Sequence, residues 1–204
     1  MIHTPTNRFF VFLLATWSGF FVMSLELLCG RVIAPYYGNS IYVWGSVITV
    51  FMVSLAAGYY LGGQLSRRSA QLGVLGVLMI GAVVASLPLV LVGYPALDWL
   101  SSIMADPRSG SLAASAMLFM LPGMISGMVS PFAVRLLTRE DRTSGYTAGL
   151  LYFFSTAGSA AGTLMTSFYL VLWFEVSVIL AILSGISVTL ALIALVGGNS
   201  LWAR

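Results

Sequence analysis

The chain has 204 residues, 59% of them hydrophobic and only 7% charged, where an ordinary soluble domain carries roughly 25% charge. That balance excludes a water-soluble globular protein. The net charge of +3 comes from nine basic residues, all Arg, against Glu26, Asp98, Asp106, Glu140, Asp141 and Glu175, and no basic patch is interleaved with base-stacking aromatics, which argues against nucleic acid.

The charges cluster and leave uncharged stretches at 9–25, 32–66, 70–97, 109–134, 143–174 and 176–203. A helix needs about 20 apolar residues to cross a hydrocarbon core. The expected fold is therefore all-α: a polytopic membrane protein with six transmembrane helices near 9–30, 42–63, 72–93, 112–134, 147–172 and 176–197, forming one transmembrane domain over 1–204. A membrane barrel would need alternating segments, and "VLGVLMIGAVVASLPLVLVG" does not alternate. In a six-span chain Arg8, Arg67, Arg68, Arg135, Arg139, Arg142 and Arg204 fall on one side and Arg31 and Arg108 on the other. Positive charge in short loops stays inside, so the expectation is a multi-pass protein of the cell inner (plasma) membrane with both termini cytoplasmic. The basic excess then reflects topology and anionic lipid headgroups.

The first span has a positive flank but is too long for a signal-peptide core and lacks a small-x-small cleavage site, so it reads as a mature helix. The lone Cys29 cannot form an internal disulfide, and with His3 it makes no metal-ligand set; no metal or cofactor is expected. Glu26 is the acid within a predicted span, and such a residue is by default a candidate functional group. Counting from Phe9 at 1.5 Å per residue puts it roughly 25 Å along the helix, near the outer boundary. Arg31 follows five residues later and could meet it if the helix ends near Gly30. That pair is either a structural pin or part of a ligand site.

Beyond it, "RVIAPYYGNSIYVWGS" adds Tyr36, Tyr37, Asn39, Ser40, Tyr42 and Trp44. Tyr and Trp serve an interfacial belt, and aromatic faces beside a carboxylate also suit an ammonium group. The candidate substrate-binding set is Glu26, Arg31, Tyr36, Tyr37 and Trp44. Span two carries Gly58/Gly62, small residues four apart that let helices approach closely. Segment 94–111 reads as an outer loop in which Leu97, Trp99, Leu100, Ile103 and Met104 form a short interfacial helix. Span four holds Gly123/Gly127, Ser126/Ser130, two helix-kinking prolines, Pro122 and Pro131, and a stripe of Met117, Met120, Met124 and Met128. The stripe is ordinary packing, an adaptable lining for an apolar ligand, or a Cu(I) ligand set, the last short of a converging thiolate. The loop "TREDRTSG" is a solvated mixed-charge turn. Span five is dense in small residues: Ser155/Ser159, Ala157/Ala161, Gly158/Gly162 and Gly162/Thr166. No sequence repeat is visible, although six spans are compatible with two triplets related by inversion.

"LELLCGRVIAPYYGNSIYVWGSVITVFMVSLAAGYYLGGQLSRR" resembles the first two spans of the membrane-embedded spermidine-synthase-like family. The match falls on Leu25, Glu26, Leu27, Arg31, Ala34, Pro35, Gly38, Ser40 and Trp44, then Gly58, Tyr59, Gly62, Gly63, Leu65 and Arg67. "SPFAVRLL" (130–137) and "GLLYFFSTAGSAAGTLMTSFYL" (149–170) are similar to later spans of the same family. The loop after span two also resembles, more weakly, that of half a major-facilitator transporter, with Ser66 where an acid usually sits. In the spermidine-synthase-like family a cytoplasmic aminopropyltransferase-like domain often follows the membrane part. Nothing in this sequence resembles it, so no synthase activity is carried over, and no Ser/His/Asp set, phosphate loop or HExxH points to another enzyme.

Two functions follow as expectations. One is a transporter-like or ligand-binding unit for a small cationic or amphipathic molecule, working as a homo-oligomer or half-transporter. The other is a non-catalytic membrane scaffold that docks a separately encoded cytoplasmic enzyme or a larger membrane complex through its Arg-rich cytoplasmic loops and small-residue helix faces.

Overall fold

Inside a hydrocarbon layer every backbone N–H and C=O must find a partner within the chain, and long runs of apolar residues meet that demand as helices. The structure, a computed structural model, describes residues 5–68, 71–138 and 144–201. His3, the charged turn at 139–142 and Arg204 lie outside them. The order is α1 (Pro5–Tyr37), α2 (Ile41–Arg68), α3 (Leu72–Ile103), α4 (Pro107–Gly127), α5 (Val129–Thr138), α6 (Ser144–Met165), a π-helical turn (Thr166–Leu170), α7 (Val171–Trp173) and α8 (Val176–Leu201). Among the described residues no strand occurs.

Among the described residues five helices are long and apolar enough to cross a membrane: Arg8–Tyr37, Ile41–Arg68, Leu72–Ile103, Pro107–Thr138 and Val176–Val196. The expected span at 147–172 is helical too, as α6, the π turn and α7, but its many Gly, Ser and Thr residues dilute its hydropathy and it is not among the five.

Helices outrun the expected boundaries at the end that holds Arg31 and Arg108. The first passes Gly30 and stops only at Tyr37, where Gly38 takes a left-handed φ of +79° and donates its N–H to the Ala34 carbonyl at 2.9 Å, a glycine helix stop. Segment 94–111 is not an outer loop. The third helix continues through Pro88 and Pro95 to Ile103, a three-residue turn follows, and Asp106 caps α4 by accepting from the Ser109 N–H at 3.3 Å. Burial of Leu89, Leu97 and Leu100 offsets the hydrogen bonds those prolines remove. Leu97 and Leu100 enter the core while Trp99 and Ile103 stay exposed, so the apolar spacing read as an interfacial helix is the last part of a longer one.

Three close helix pairs organise the bundle: α1 with α6, α2 with α4, and α3 with α8. Glycines make each one. A side chain at Gly158 would overlap the Thr16 carbonyl, and one at Gly162 would stand 2.5 Å from the Phe20 carbonyl oxygen. Gly58 and Gly62 sit on the backbone of Met124, Gly127 and Met128, and Gly76 faces the Ala191 carbonyl at 2.7 Å. Backbone approach of this kind supplies dispersion contact where lipid removes the hydrophobic drive. The Gly58/Gly62 and Gly158/Gly162 faces are thus closed within the chain, while Ala157 and Ala161 stay exposed. The pairing has a pattern: exchanging α1, α2 and α3 with α4–α5, α6–α7 and α8 turns the first pair into the second and leaves the third unchanged.

Candidate functional site

Glu26 sits on α1 at intermediate burial. With α1 running from Arg8 to Tyr37 as an apolar helix, Glu26 lies about 5 Å from the midpoint of that segment at 1.5 Å per residue, deeper than a helix ending near Gly30 would place it. The extension also separates Glu26 from Arg31. Five residues of continuous helix turn through about 140°; Arg31 is exposed, and the two make no ion pair. Among the described residues the Glu26 carboxylate has neither a hydrogen-bond nor an ion-pair partner.

The neighbours of this face are α2 and α6. Gly19, two turns below Glu26, packs against the Ser155 carbonyl and the Ser159 hydroxyl of α6, and Gly30, one turn above it, receives the six-membered ring of Trp44 from α2. Any side chain at residue 30 would meet that ring, with Trp44 Cη2 at 2.8 Å from its Cβ. The indole is fixed from its other edge, where Nε1–H donates to Asn39 Oδ1 at 2.6 Å. Both α2 and α6 rest on α1, yet they make at most marginal contact with each other. Glu26 lies on α1 between them, half-buried, and the residues one turn away on its face, Val22, Cys29 and Gly30, are buried.

The remaining candidates are committed elsewhere. Tyr36 donates to the Tyr94 carbonyl at 3.4 Å and reaches the Asp98 carboxylate, tying the end of α1 to α3. Tyr37 is 5% exposed, its ring lies on Gly110 of α4, and its hydroxyl has no hydrogen-bond partner among the described residues. The structure brings Glu26 and Trp44 within about one helical turn of each other and sets Arg31, Tyr36 and Tyr37 apart from them. Asn39 and Gly30 are the residues whose roles the sequence left unread: one orients the indole, the other makes room for it. The only signal was their place beside the aromatic run.

Further charge chemistry lies at the same end as Arg31. The Arg108 guanidinium stands 4.6 Å over the Tyr42 ring and donates to its hydroxyl at 3.2 Å, a cation–π contact. The Ser109 backbone amide, with Arg108 nearby, holds the Asp106 carboxyl below the usual carboxylate range. The methionine stripe is divided: Met117 and Met120 are exposed, and Met124 and Met128 lie against the glycines of α2. Cys29 is buried with its thiol on Ser115. Among the described residues no group of three His, Cys, Asp or Glu could hold a metal ion. Ser66, in the position of the acid in the transporter-like loop, is buried and donates to its own helix at the Gly63 carbonyl, 2.8 Å away. No family model, curated protein or solved structure matches the chain.

Proposed function

We propose that this protein is a membrane binding unit for a small cationic or amphipathic molecule, held on the α1 face between α2 and α6 with Glu26 as counter-charge and Trp44 as aromatic wall. One observation carries the reading: a half-buried carboxylate deep in an apolar helix, with no hydrogen-bond or ion-pair partner among the described residues. Burying such a group costs at least about 2.5 kcal/mol at a bilayer midplane, a cost that a bound cation offsets. A carboxylate beside an indole face is a chemistry that recognises ammonium groups.

In this reading α6, the π turn and α7 form a sixth span. Both termini lie in the cytoplasm of a cell bounded by this inner membrane, and the chain works as half of a major-facilitator-like bundle, completed by a second copy. The exchange pattern of the helix pairs supports the half-bundle, and so does the resemblance of Leu25–Trp44 and Gly58–Arg67 to the spermidine-synthase-like membrane family. Thermal unfolding of detergent-solubilised protein with spermidine or tetramethylammonium tests it. Stabilisation should rise with probe concentration, reaching about 2.7 kcal/mol at a hundredfold excess over Kd, and Glu26→Gln should abolish it while leaving the apo melting temperature and particle size unchanged. An equal shift in the variant overturns the role of Glu26.

A second reading, a non-catalytic scaffold for a separate cytoplasmic enzyme or membrane subunit, is favoured by the placement of Arg8, Arg67, Arg68 and Arg135 at one end of the bundle, where the described residues include no acid. A mild-detergent pull-down read by mass spectrometry should then recover a stoichiometric partner that is released when Arg67, Arg68 and Arg135 are replaced by Gln. Recovery of the chain alone counts against it.

A further inference from the structure

A small crevice lies at the junction of α1, α3, α8 and the α4–α5 break, far along the bundle from Trp44, and is lined by Trp17, Ser18, Met79, Ser126, Val129 and Ser187, among others. Its polar atoms are unusual for this chain. Ser54, Ser86, Ser115 and Ser126 each donate to a carbonyl three or four residues back in their own helix, the ordinary way a hydroxyl is satisfied in an apolar helix. Ser18 and Ser187 do not. Ser18 reaches across to the Ser126 carbonyl at a long 3.4 Å. Ser187 accepts from Trp17 Nε1–H at 2.8 Å and donates to nothing among the described residues, although it is 3% exposed.

The backbone beside the crevice is also short of partners. The Met128 N–H bonds to the Ile125 carbonyl at 3.1 Å and also faces the Ser126 carbonyl, rather than bonding one residue further back, which ends α4 in a tightened turn, and Pro131 has no N–H to offer the Gly127 carbonyl. An interrupted helix at membrane depth is tolerated where neighbouring hydroxyls and ordered water satisfy the freed groups.

We propose that this crevice is a buried hydration site holding one water molecule, which accepts from the Ser187 hydroxyl and donates to the Ser126 carbonyl and Ser18 Oγ. The space admits one water-sized molecule, and three polar partners is the usual number for a buried water. Ligands larger than water do not fit. The water would join α1, α4 and α8 at the break, so that α5 can change its angle to α4 by exchanging hydrogen bonds with the water instead of losing them.

Radiolytic hydroxyl-radical footprinting of the whole protein in lipid nanodiscs tests the site, because a bound water generates radicals where it sits. Met79 lines the crevice at 4% exposure and should be oxidised at least several-fold faster than its burial allows. Ser187→Val, which fills the space and removes the donor, should bring that rate to background, and so should Ala82→Val, which narrows the same crevice without touching a hydroxyl. Both variants are to be read at a monodisperse size and a melting transition like the parent's, and either one that meets this standard suffices. Background oxidation of Met79 in the parent, or an unchanged rate in a folded variant, overturns the proposal.

Discussion

Glu26 and Arg31 are five residues apart and do not meet, and the reason lies at Gly38. A helix that stopped at Gly30 would let the chain turn and bring the guanidinium back to the carboxylate. Val32, Ile33 and Tyr37 are instead buried, and the helix continues until a glycine can take the left-handed φ that ends it. The hydrophobic pattern of those residues was visible in the sequence, but the first span was expected to end near Gly30, because the packing that carries the helix past it is not local. The choice of Glu26 and Trp44 as candidates came directly from residue type; their one-turn separation depends on Gly30 accepting an indole from another helix, which no spacing rule reveals. Gly30→Val should therefore displace Trp44, shift its fluorescence and weaken spermidine stabilisation at least several-fold, while a variant at half-buried Gly63, where a Cβ meets nothing within 4 Å, leaves both unchanged. The Asp106 cap gives a pH effect of defined sign. Its carboxyl is held below the usual range in the fold, so its contribution to stability is present above the ordinary Asp pKa of about 3.9 and is lost as pH falls through the lower folded value. Between pH 6 and pH 3 the parent should lose more melting temperature than Asp106→Asn, which caps the helix without titrating; equal losses would contradict the cap.

At the scale of helices, the decisive contacts are backbone against backbone. The repeated four-residue spacing of small side chains announced that helices would approach closely, but not which helix each would meet, since a glycine stripe carries no address. The answer is internal: Gly158 and Gly162 take α1, and Gly58 and Gly62 take α4. Gly158→Leu or Gly162→Leu should consequently cost the folded state itself, by at least the 1–3 kcal/mol typical of overpacking, seen as loss of monodisperse protein. Gly185→Ala and Gly149→Ala, where a methyl meets nothing within 4 Å, should be neutral or stabilising by about 0.4–1 kcal/mol. Monodisperse Gly158→Leu with a parent-like melting temperature would contradict the α1–α6 pairing. Element existence was legible because charge gaps are long; element ends were not, because helices here extend past the apolar run wherever the core continues to hold them, as Leu97 and Leu100 show.

For the whole molecule, three close pairs and one exchange pattern leave a bundle with an exposed apolar exterior and a half-buried carboxylate on α1. The two-triplet arrangement was open in the sequence and had no visible repeat behind it, since exchange of helices constrains which backbones touch and not which side chains recur. The account rests on Glu26 being a carboxyl reachable from the surface between α2 and α6. Dicyclohexylcarbodiimide, an apolar reagent for carboxyl groups in membrane surroundings, measures this directly when the modified residue is located by mass spectrometry in the lipid-embedded protein. The account predicts that Glu26 is labelled, that spermidine slows the labelling in proportion to its occupancy, and that Trp44→Ala weakens this protection. A Glu26 that resists the reagent, or that labels at the same rate with and without the cation, would contradict it.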